Sequence, residues 1–205
     1  MSLAKKLIIC VCSTGDRETL LPCINSLRQQ EVPAGYEIKI MVIDNSPQAL
    51  LNGYFSGLAD DGLQVLCIHE PVAGIPFARN AAIKASMAAG ADLIAFIDDD
   101  EIAPREWISR LIRCHETRSA DVVVGGVQRA ITVDEATDWV QRFQSVADFQ
   151  AMPVVRTAVT SNVLFDTRFV RQPYDIKFDE KMVFGGSDRE FFMRVYMAGA
   201  KIILA

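Results

Sequence analysis

The sequence predicts an α/β protein whose doubly wound sheet is mostly parallel. Short apolar segments alternate with longer amphipathic ones over residues 5–127, which is the pattern of strands and helices in such sheets. The apolar segments are nearly continuous, as expected for strands that are buried on both faces. Turn-forming or acidic residues follow them directly, and ligands of open α/β sheets bind at the carboxyl ends of the strands.

Five strands and four helices are expected in this first part of the chain. The predicted strands are the apolar runs at residues 7–12, 38–43, 63–68, 93–97 and 121–126. The predicted helices span residues 17–30, 48–58, 76–89 and 104–118. Apolar residues at helical spacing define two of these helices. They are Leu20, Leu21, Ile24 and Leu27 in the helix over 17–30, and Trp107, Ile108, Leu111 and Ile112 in the helix over 104–118.

The pattern changes after residue 127. A helix is predicted over residues 135–149, a strand over 158–165 and an irregular segment over 170–183. A further helix opens after Gly185-Gly186, and a last strand begins at Lys201. Because a native terminus rarely lies inside a buried strand, we expect this single domain of residues 1–205 to be truncated at its C-terminus.

Composition argues against several classes of protein. The net charge of −5 and the lack of a basic run argue against a nucleic-acid-binding surface. Five cysteines without a CxxC pair indicate buried thiols in a reducing compartment, and two isolated histidines argue against a zinc site. The sequence has no signal peptide and no apolar stretch of the ~20 residues that a membrane span needs. We therefore predict a cytoplasmic protein.

The predicted fourth strand ends in four consecutive carboxylates, Asp98-Asp99-Asp100-Glu101. Adjacent like charges disfavour ionisation, so this strand end needs a compensating partner. Mg²⁺ or Mn²⁺ would suit it, because these cations prefer carboxylate oxygens and usually keep substrate phosphates among their ligands. The alternative is a solvated acidic turn that caps the helix beginning near Pro104.

Together, the motifs resemble those of the family 2 glycosyltransferases, which have the GT-A fold. The resemblance covers nearly the whole chain and depends on the order and spacing of the motifs. The matching segments are Thr14-Gly15-Asp16-Arg17, Val42-Ile43-Asp44-Asn45-Ser46, Gly74-Ile75-Pro76-Phe77-Ala78-Arg79-Asn80, Ile97-Asp98-Asp99-Asp100 with Pro104 and Trp107, Val124-Gly125-Gly126, Thr160-Ser161-Asn162, and Gly185-Gly186-Ser187-Asp188 with Arg194 and Gly199.

The resemblance implies a GT-A type sheet with a Rossmann-like nucleotide-binding half over residues 5–127 and a smaller acceptor half over 128–205. It implies inverting transfer of a sugar from a nucleotide-diphosphate sugar, with Mn²⁺ or Mg²⁺ as cofactor. The implied acceptor is a glycan, a lipid-linked compound or another hydroxyl compound, in polysaccharide or glycoconjugate assembly. By the same analogy, the full-length protein would work in the cytoplasm, with peripheral association at the inner face of the membrane.

The resemblance implies a role for individual residues of this chain that match the family's motifs. Asp44 is implied to contact the nucleobase, Asp98 the ribose and the metal, and Asp100 the metal. Asp188 is the implied general base that takes the proton of the acceptor hydroxyl. The other implied donor-site residues are Thr14, Arg17, Arg79 and Asp99.

The sequence departs from the family pattern at three positions. Ser13 stands where proline is usual. Gly15 replaces an aromatic residue, which removes a stacking contact to the base. Ser187 replaces the glutamate that precedes the catalytic aspartate, and this change bears on acceptor recognition.

Several of these residues also have structural interpretations. Ser187 and Glu190 have the spacing of a capping box, so Asp188 could simply belong to a helix start. The segment from Asp44 to Pro47 is by itself a good turn. Trp107 and Trp139 are expected in the core, and Trp139 and Phe143 are also candidates to line an acceptor site.

Two other functions stay open at this point. A dehalogenase-like phosphotransferase would use Asp98 as a nucleophile, but such enzymes place that aspartate on an early strand. The chain could also bind a nucleotide sugar without turnover if residues beyond Ala205 complete the acceptor site.

Overall fold

The computed structural model describes residues 4–58, 61–125 and 154–205. Its strands are β1 (Lys5–Ser13), β2 (Tyr36–Asp44), β3 (Val65–His69), β4 (Leu93–Asp98), β5 (Val122–Val124), β6 (Val154–Val155), β7 (Asn162–Asp166) and β8 (Ile202–Leu204). Its α-helices are α1 (Arg17–Arg28), α2 (Ile75–Ala88), α3 (Trp107–Arg118) and α4 (Ser187–Met197), and a 3₁₀ turn spans Thr167–Val170.

These strands form one mixed, mostly parallel sheet in the order β3-β2-β1-β4-β7-β5-β8-β6. β1 pairs in parallel with β2 and β4, and β3 extends the parallel part beyond β2. β7 runs antiparallel between β4 and β5. The prediction of a doubly wound, mostly parallel α/β sheet is therefore confirmed.

The two faces of the sheet are covered by different helices. Along β1, Leu7, Ile9 and Val11 belong to one hydrophobic cluster, whereas Ile8 and Cys10 belong to the other, as the two-residue period of a strand requires. The first cluster takes in the buried faces of α1 and α3, and the second takes in those of α2 and α4. Because both faces are covered, the central strands are apolar on both sides.

The registers of these strands bring several strand ends to one edge of the sheet. Ser13 at the end of β1 lies opposite Asp44 at the end of β2, and Cys12 lies opposite Asp98. Because β7 is antiparallel, its first residue, Asn162, pairs with Ile97 at this same edge. The polar residues that the sequence placed at strand ends are thus gathered on one side of the molecule.

Two predicted elements differ from those observed. The prediction of a helix over residues 48–58 is wrong, because this segment is a series of turns closed by bonds such as Asn52 N to Ala49 O at 3.0 Å. Ala49 and Gly53 have φ of 53° and 68°, in the left-handed region, which interrupts a right-handed helix. The strand predicted over 158–165 begins only at Asn162.

The helix predicted over 135–149, together with Trp139 and Phe143, lies outside the described residues. Within the described ranges, no helix is both long and apolar enough to cross a bilayer.

Candidate active site

The acidic end of β4 lies at the centre of the sheet edge described above. Burial raises the pKa of Asp98 above its ordinary value, and the charges of neighbouring carboxylates raise it further, whereas Arg79 opposes the shift. The pKa of Asp99 is also raised, chiefly by burial, although a hydrogen bond with the Ser13 side chain opposes this. Burial and the charges of Asp98 and Asp100 raise the pKa of Glu101 to about 7. This end of β4 therefore holds more negative charge than its protein surroundings stabilise.

Asp188 lies in the first turn of α4 and is half-buried. It belongs to the same electrostatic cluster as the acidic end of β4, because its charge raises the pKa of Asp98. Its Oδ1 accepts a hydrogen bond from the backbone N–H of Arg189 at 2.8 Å. The predicted base and the predicted donor-site aspartate therefore lie within electrostatic range of each other.

Arg79 connects these two acidic elements. It lies in the second turn of α2, and its Nη1 donates a hydrogen bond to Oγ of Ser187 at 3.1 Å. Burial lowers the pKa of Arg79, while Cys12, Asp188 and Asp98 oppose the shift. The guanidinium also lies over the Phe178 ring, with Cζ 5.5 Å from the ring centroid. Arg79 is thus a half-buried cation between the β4 end and the start of α4.

Asn80, next to Arg79, makes a second connection between α2 and the segment before α4, which the sequence motif did not predict. Its Oδ1 accepts from the N–H of Phe178 at 2.8 Å, and its Nδ2 donates to the Phe178 carbonyl at 3.0 Å. The Phe178 ring is held in turn by stacking on Phe191, with centroids 4.2 Å apart. The Arg79-Asn80 pair therefore fixes the segment before α4 against α2.

The capping-box interpretation of Ser187 is wrong. The helix begins after Gly185 and Gly186, which have φ of 121° and 80°, and Gly186 is the N-cap without a side-chain cap bond. Ser187 is already the first helical residue, so its hydroxyl is free to turn towards Arg79. Glu190 does not reach back either, since its carboxylate binds Arg194 at 2.5 Å.

Asp44 is buried at the end of β2, and its carboxylate organises the turn that follows. Its Oδ1 accepts from the Ser46 N–H at 3.0 Å and the Ser46 hydroxyl at 2.5 Å, and its Oδ2 accepts from the Leu51 N–H at 2.7 Å. Burial by itself would raise the pKa of Asp44, but these hydrogen bonds outweigh it and the pKa is lowered. The structure thus supports the turn interpretation of Asp44, and its contact with a nucleobase stays a prediction.

Asn45 has a structural role that the sequence analysis did not identify. Its Nδ2 donates to the carbonyls of Glu70 and Val72 at 2.9 and 2.7 Å, and its Oδ1 accepts from the Gly74 N–H at 2.9 Å. These bonds shape the loop that leads into α2. They also set where α2 begins, and therefore where Arg79 lies.

Thr14 and Arg17 lie in the turn after β1 and at the start of α1. Thr14 is exposed, and the side chain of Asp16 caps α1 by accepting from the Glu18 N–H at 3.0 Å. Arg17 donates to the carbonyl of Leu50 and lies over the Tyr54 ring at 4.7 Å. Arg17 therefore holds the turns after β2, and a nucleotide contact by Thr14 or Arg17 stays a prediction.

Trp107 confirms the expectation of a core residue. It is buried, and its Nε1 donates to Oδ1 of Asn162 at 2.8 Å. Gly125 leaves room for this amide, because a Cβ at that position would lie 2.3 Å from Asn162 Oδ1. The Trp107–Asn162 hydrogen bond thus joins the start of α3 to the first residue of β7 at the edge of the sheet that carries the acidic cluster.

Within the described residues, the carboxylates at the end of β4 do not form a closed metal site. No three His, Cys, Asp or Glu side chains within residues 4–58, 61–125 and 154–205 are arranged as a complete ligand set. Mg²⁺-type ions are commonly held by one or two carboxylates together with substrate phosphates. The mutual repulsion of Asp98, Asp99 and Asp100 suits such a cation.

The chain is similar to known proteins in sequence and in fold. The sequence model of glycosyl transferase family 2 matches residues 7–186. A curated relative, the succinoglycan biosynthesis protein ExoM of Rhizobium meliloti (strain 1021), is 29% identical over 192 residues, which are 91% of this chain and 60% of that protein. The chain thus spans about three fifths of the length of this relative.

Solved structures of TarS from S. aureus have a similar fold. The crystal structure of TarS 1–349 has a TM-score of 0.69 at 19% identity, covering 98% of this chain and 58% of that one. TarS 1–349 in complex with UDP has a TM-score of 0.70 at 20% identity, with 98% and 57% coverage. The complex of TarS 1–349 with UDP-GlcNAc has a TM-score of 0.69 at 18% identity, with 98% and 56% coverage. At these identities the likeness establishes the GT-A fold.

Proposed function

Because the chain belongs to glycosyl transferase family 2, as the match over residues 7–186 establishes, we propose that it is an inverting enzyme. It moves a sugar from a nucleotide-diphosphate sugar to the hydroxyl group of an acceptor. The UDP and UDP-GlcNAc complexes of TarS support a nucleotide-sugar donor. The similarity to a succinoglycan biosynthesis protein supports a role in polysaccharide assembly.

One observation carries this proposal: Arg79 lies between the acidic end of β4 and the start of α4. The charges of Asp98 and Asp188 both act on its guanidinium, and Ser187 accepts its hydrogen bond. A donor-binding edge and a candidate base are thus held together by residues from both halves of the chain. Such a cluster of titratable groups with shifted pKa values supports a reaction centre at this place.

We assign donor binding to the edge formed by β1, β2 and β4. Arg79 supplies positive charge for the diphosphate, and arginine suits phosphate oxygens through its planar donors. We assign Asp98 and Asp99 to the ribose hydroxyls, because carboxylates accept hydrogen bonds from such groups. Mn²⁺ or Mg²⁺, which Asp100 and Asp98 would hold, supplies Lewis-acid stabilisation of the charge on the leaving diphosphate.

Asp188 is the proposed general base. As the acceptor oxygen attacks the anomeric carbon, its proton passes to the Asp188 carboxylate. The bond from that carbon to the diphosphate breaks, and its electron pair leaves with the diphosphate oxygen. A single base on the face opposite the leaving group is sufficient for inversion, and such a base typically contributes about 10²–10⁴-fold.

A thermal-shift panel tests the donor site. The chain is melted with UDP, GDP, dTDP and CMP, each with and without Mn²⁺. A ligand at 100 times its Kd adds about 2.7 kcal/mol of stability, which a melt resolves. We expect one diphosphate to raise the Tm only when Mn²⁺ is present, and we expect Asp100→Ala to lose that shift.

Asp175→Asn is the matched control, since Asp175 is exposed and pairs with Lys177 at 3.1 Å, apart from the acidic cluster. A shift that survives in Asp100→Ala would contradict the metal role of Asp100. No shift with any of the nucleotides would contradict the donor site itself.

A further inference from the structure

Phe184 is an aromatic residue whose side chain is fully exposed to solvent. It is exposed over its whole surface, at 103% of the reference value, and is the most exposed large apolar side chain in the described part of the chain. Aromatic rings bury large areas and dominate the energetics of binding surfaces. A ring with this exposure packs against no other side chain of the described residues, so it is accessible to a ligand.

The segment that carries Phe184 is fixed to the wall of the candidate active site on both sides. Before it, Val183 lies against the loop into α2, since its Cγ1 is 3.5 Å from where a Cβ at Gly74 would be. After it, Ser187 is bonded to Arg79. Phe184 therefore lies on a segment that adjoins the candidate active site, four residues before Asp188, which limits their Cα separation to about 14 Å.

The space beside Phe184 is open. The next residue is Gly185, and a Cβ there would meet no atom within 4 Å. Val72 in the loop before α2 and Ile75 at the start of α2 are also exposed, at 49% and 52%. Phe184, Val72 and Ile75 form an exposed apolar rim on two segments that meet where Val183 lies against Gly74.

We propose that Phe184 is the platform on which the acceptor binds, and that the acceptor is a saccharide. A pyranose has a face of C–H bonds that suits an aromatic ring, and hydroxyl groups at its edge that suit a carboxylate. Phe184 and Asp188 present both kinds of group on one short segment. This inference rests on the proposed function, because it assigns the acceptor to the same candidate active site.

The charge of the surroundings favours a saccharide over a membrane surface. Residues 175–190 contain five acidic side chains and three basic ones, and Asp188 is within electrostatic range of the acidic end of β4. Anionic lipids attract basic segments and repel acidic ones. A bilayer would therefore gain little from this rim, whereas a neutral sugar is not repelled.

Four forms of the chain test the platform: wild type, Phe184→Ala, Phe184→Trp and Met197→Ala. Met197 is the control, because it is 77% exposed at the far end of α4. Each form is applied to a printed array of neutral oligosaccharides in the presence of Mn²⁺ and the nucleotide that raises the Tm. Release of diphosphate from the corresponding nucleotide sugar without acceptor, and binding of each form to phosphatidylglycerol vesicles, are measured in parallel.

We expect array binding to fall at least tenfold in Phe184→Ala, to return in Phe184→Trp and to be unchanged in Met197→Ala. Diphosphate release and the nucleotide-induced Tm shift should stay within twofold in all four forms. Equal array binding by wild type and Phe184→Ala would overturn the platform. The platform would also be overturned if wild type bound nucleotide but no saccharide. It would be overturned as well if Phe184→Ala reduced binding to phosphatidylglycerol vesicles but not to the array. A wild type that binds no nucleotide would instead contradict the proposed function.

Discussion

Arg79 and Ser187 are 108 positions apart in the sequence and are joined by a hydrogen bond of 3.1 Å from Nη1 to Oγ. The family pattern has a glutamate where this chain has Ser187, and a carboxylate there would neutralise the guanidinium. The neutral hydroxyl fixes the position of Arg79 without cancelling its charge. The arginine can therefore direct that charge to a bound anion and to the two aspartates on either side.

Loss of this hydrogen bond should lower stability. Ser187 is buried, so Ser187→Ala leaves one N–H of a half-buried guanidinium without its partner, which costs about 1–3 kcal/mol. The free energy of unfolding is measured by urea denaturation. Ser56→Ala is the control, because the Ser56 hydroxyl bonds the Gly53 carbonyl on the exposed surface; equal losses in both variants would contradict the account.

Gly125→Ala should be strongly destabilising. The added methyl would lie 2.3 Å from Asn162 Oδ1, so the amide would have to leave the Trp107 indole N–H, which is buried. Overpacking of this kind typically costs about 1–3 kcal/mol. Gly57→Ala is the matched control, since its Cβ would meet no atom within 4 Å and its φ is not in the left-handed region. A Tm for Gly125→Ala that equals that of Gly57→Ala would show that the amide is free to move.

The acidic end of β4 should make stability depend on pH through Glu101. Its pKa in the folded chain is about 7, raised from an ordinary 4.5, so folding favours the protonated form. The resulting stability is fully present below pH 4.5 and is lost as the pH rises through 7. Glu101→Gln should therefore match the wild type in Tm at pH 4.5 and exceed it at pH 8.

This comparison is made with EDTA present, so that no metal ion compensates the carboxylates. Glu106→Gln is the control, because Glu106 is an exposed acid at the start of α3. If Glu101→Gln gives no pH-dependent gain over wild type, the carboxylates do not repel one another as described.

The positions of β1, β2 and β4 could be predicted because each is a largely apolar segment, interrupted only by Lys39 in β2, that is followed by polar residues. Their carboxyl ends meet at one edge in any parallel sheet, so the gathering of Asp44 and Asp98 also followed. The resemblance to family 2 glycosyltransferases added Asp188, which no local pattern distinguishes from an ordinary helix start.

The contacts that assemble the site could not be predicted, because they are long-range. Ser187 and Glu190 have the local spacing of a capping box, yet the contact with Arg79 and the glycine turn prevailed over that pattern. Asn80 and Phe178 are 98 positions apart. The prediction of a helix over residues 48–58 failed for a local reason. Alanine rarely adopts the left-handed backbone conformation that Ala49 has, so the sequence did not indicate it.

The most direct test of the account is the rate of sugar transfer by Asp188→Asn. The rate of acceptor-dependent diphosphate release is measured with the nucleotide sugar that the melts identify, beside wild type and the Asp175→Asn control. We predict a fall of about 10²–10⁴-fold, the usual contribution of a general base, with nucleotide binding and Tm unchanged. Transfer by Asp188→Asn at the wild-type rate would contradict the claim that Asp188 takes the acceptor proton.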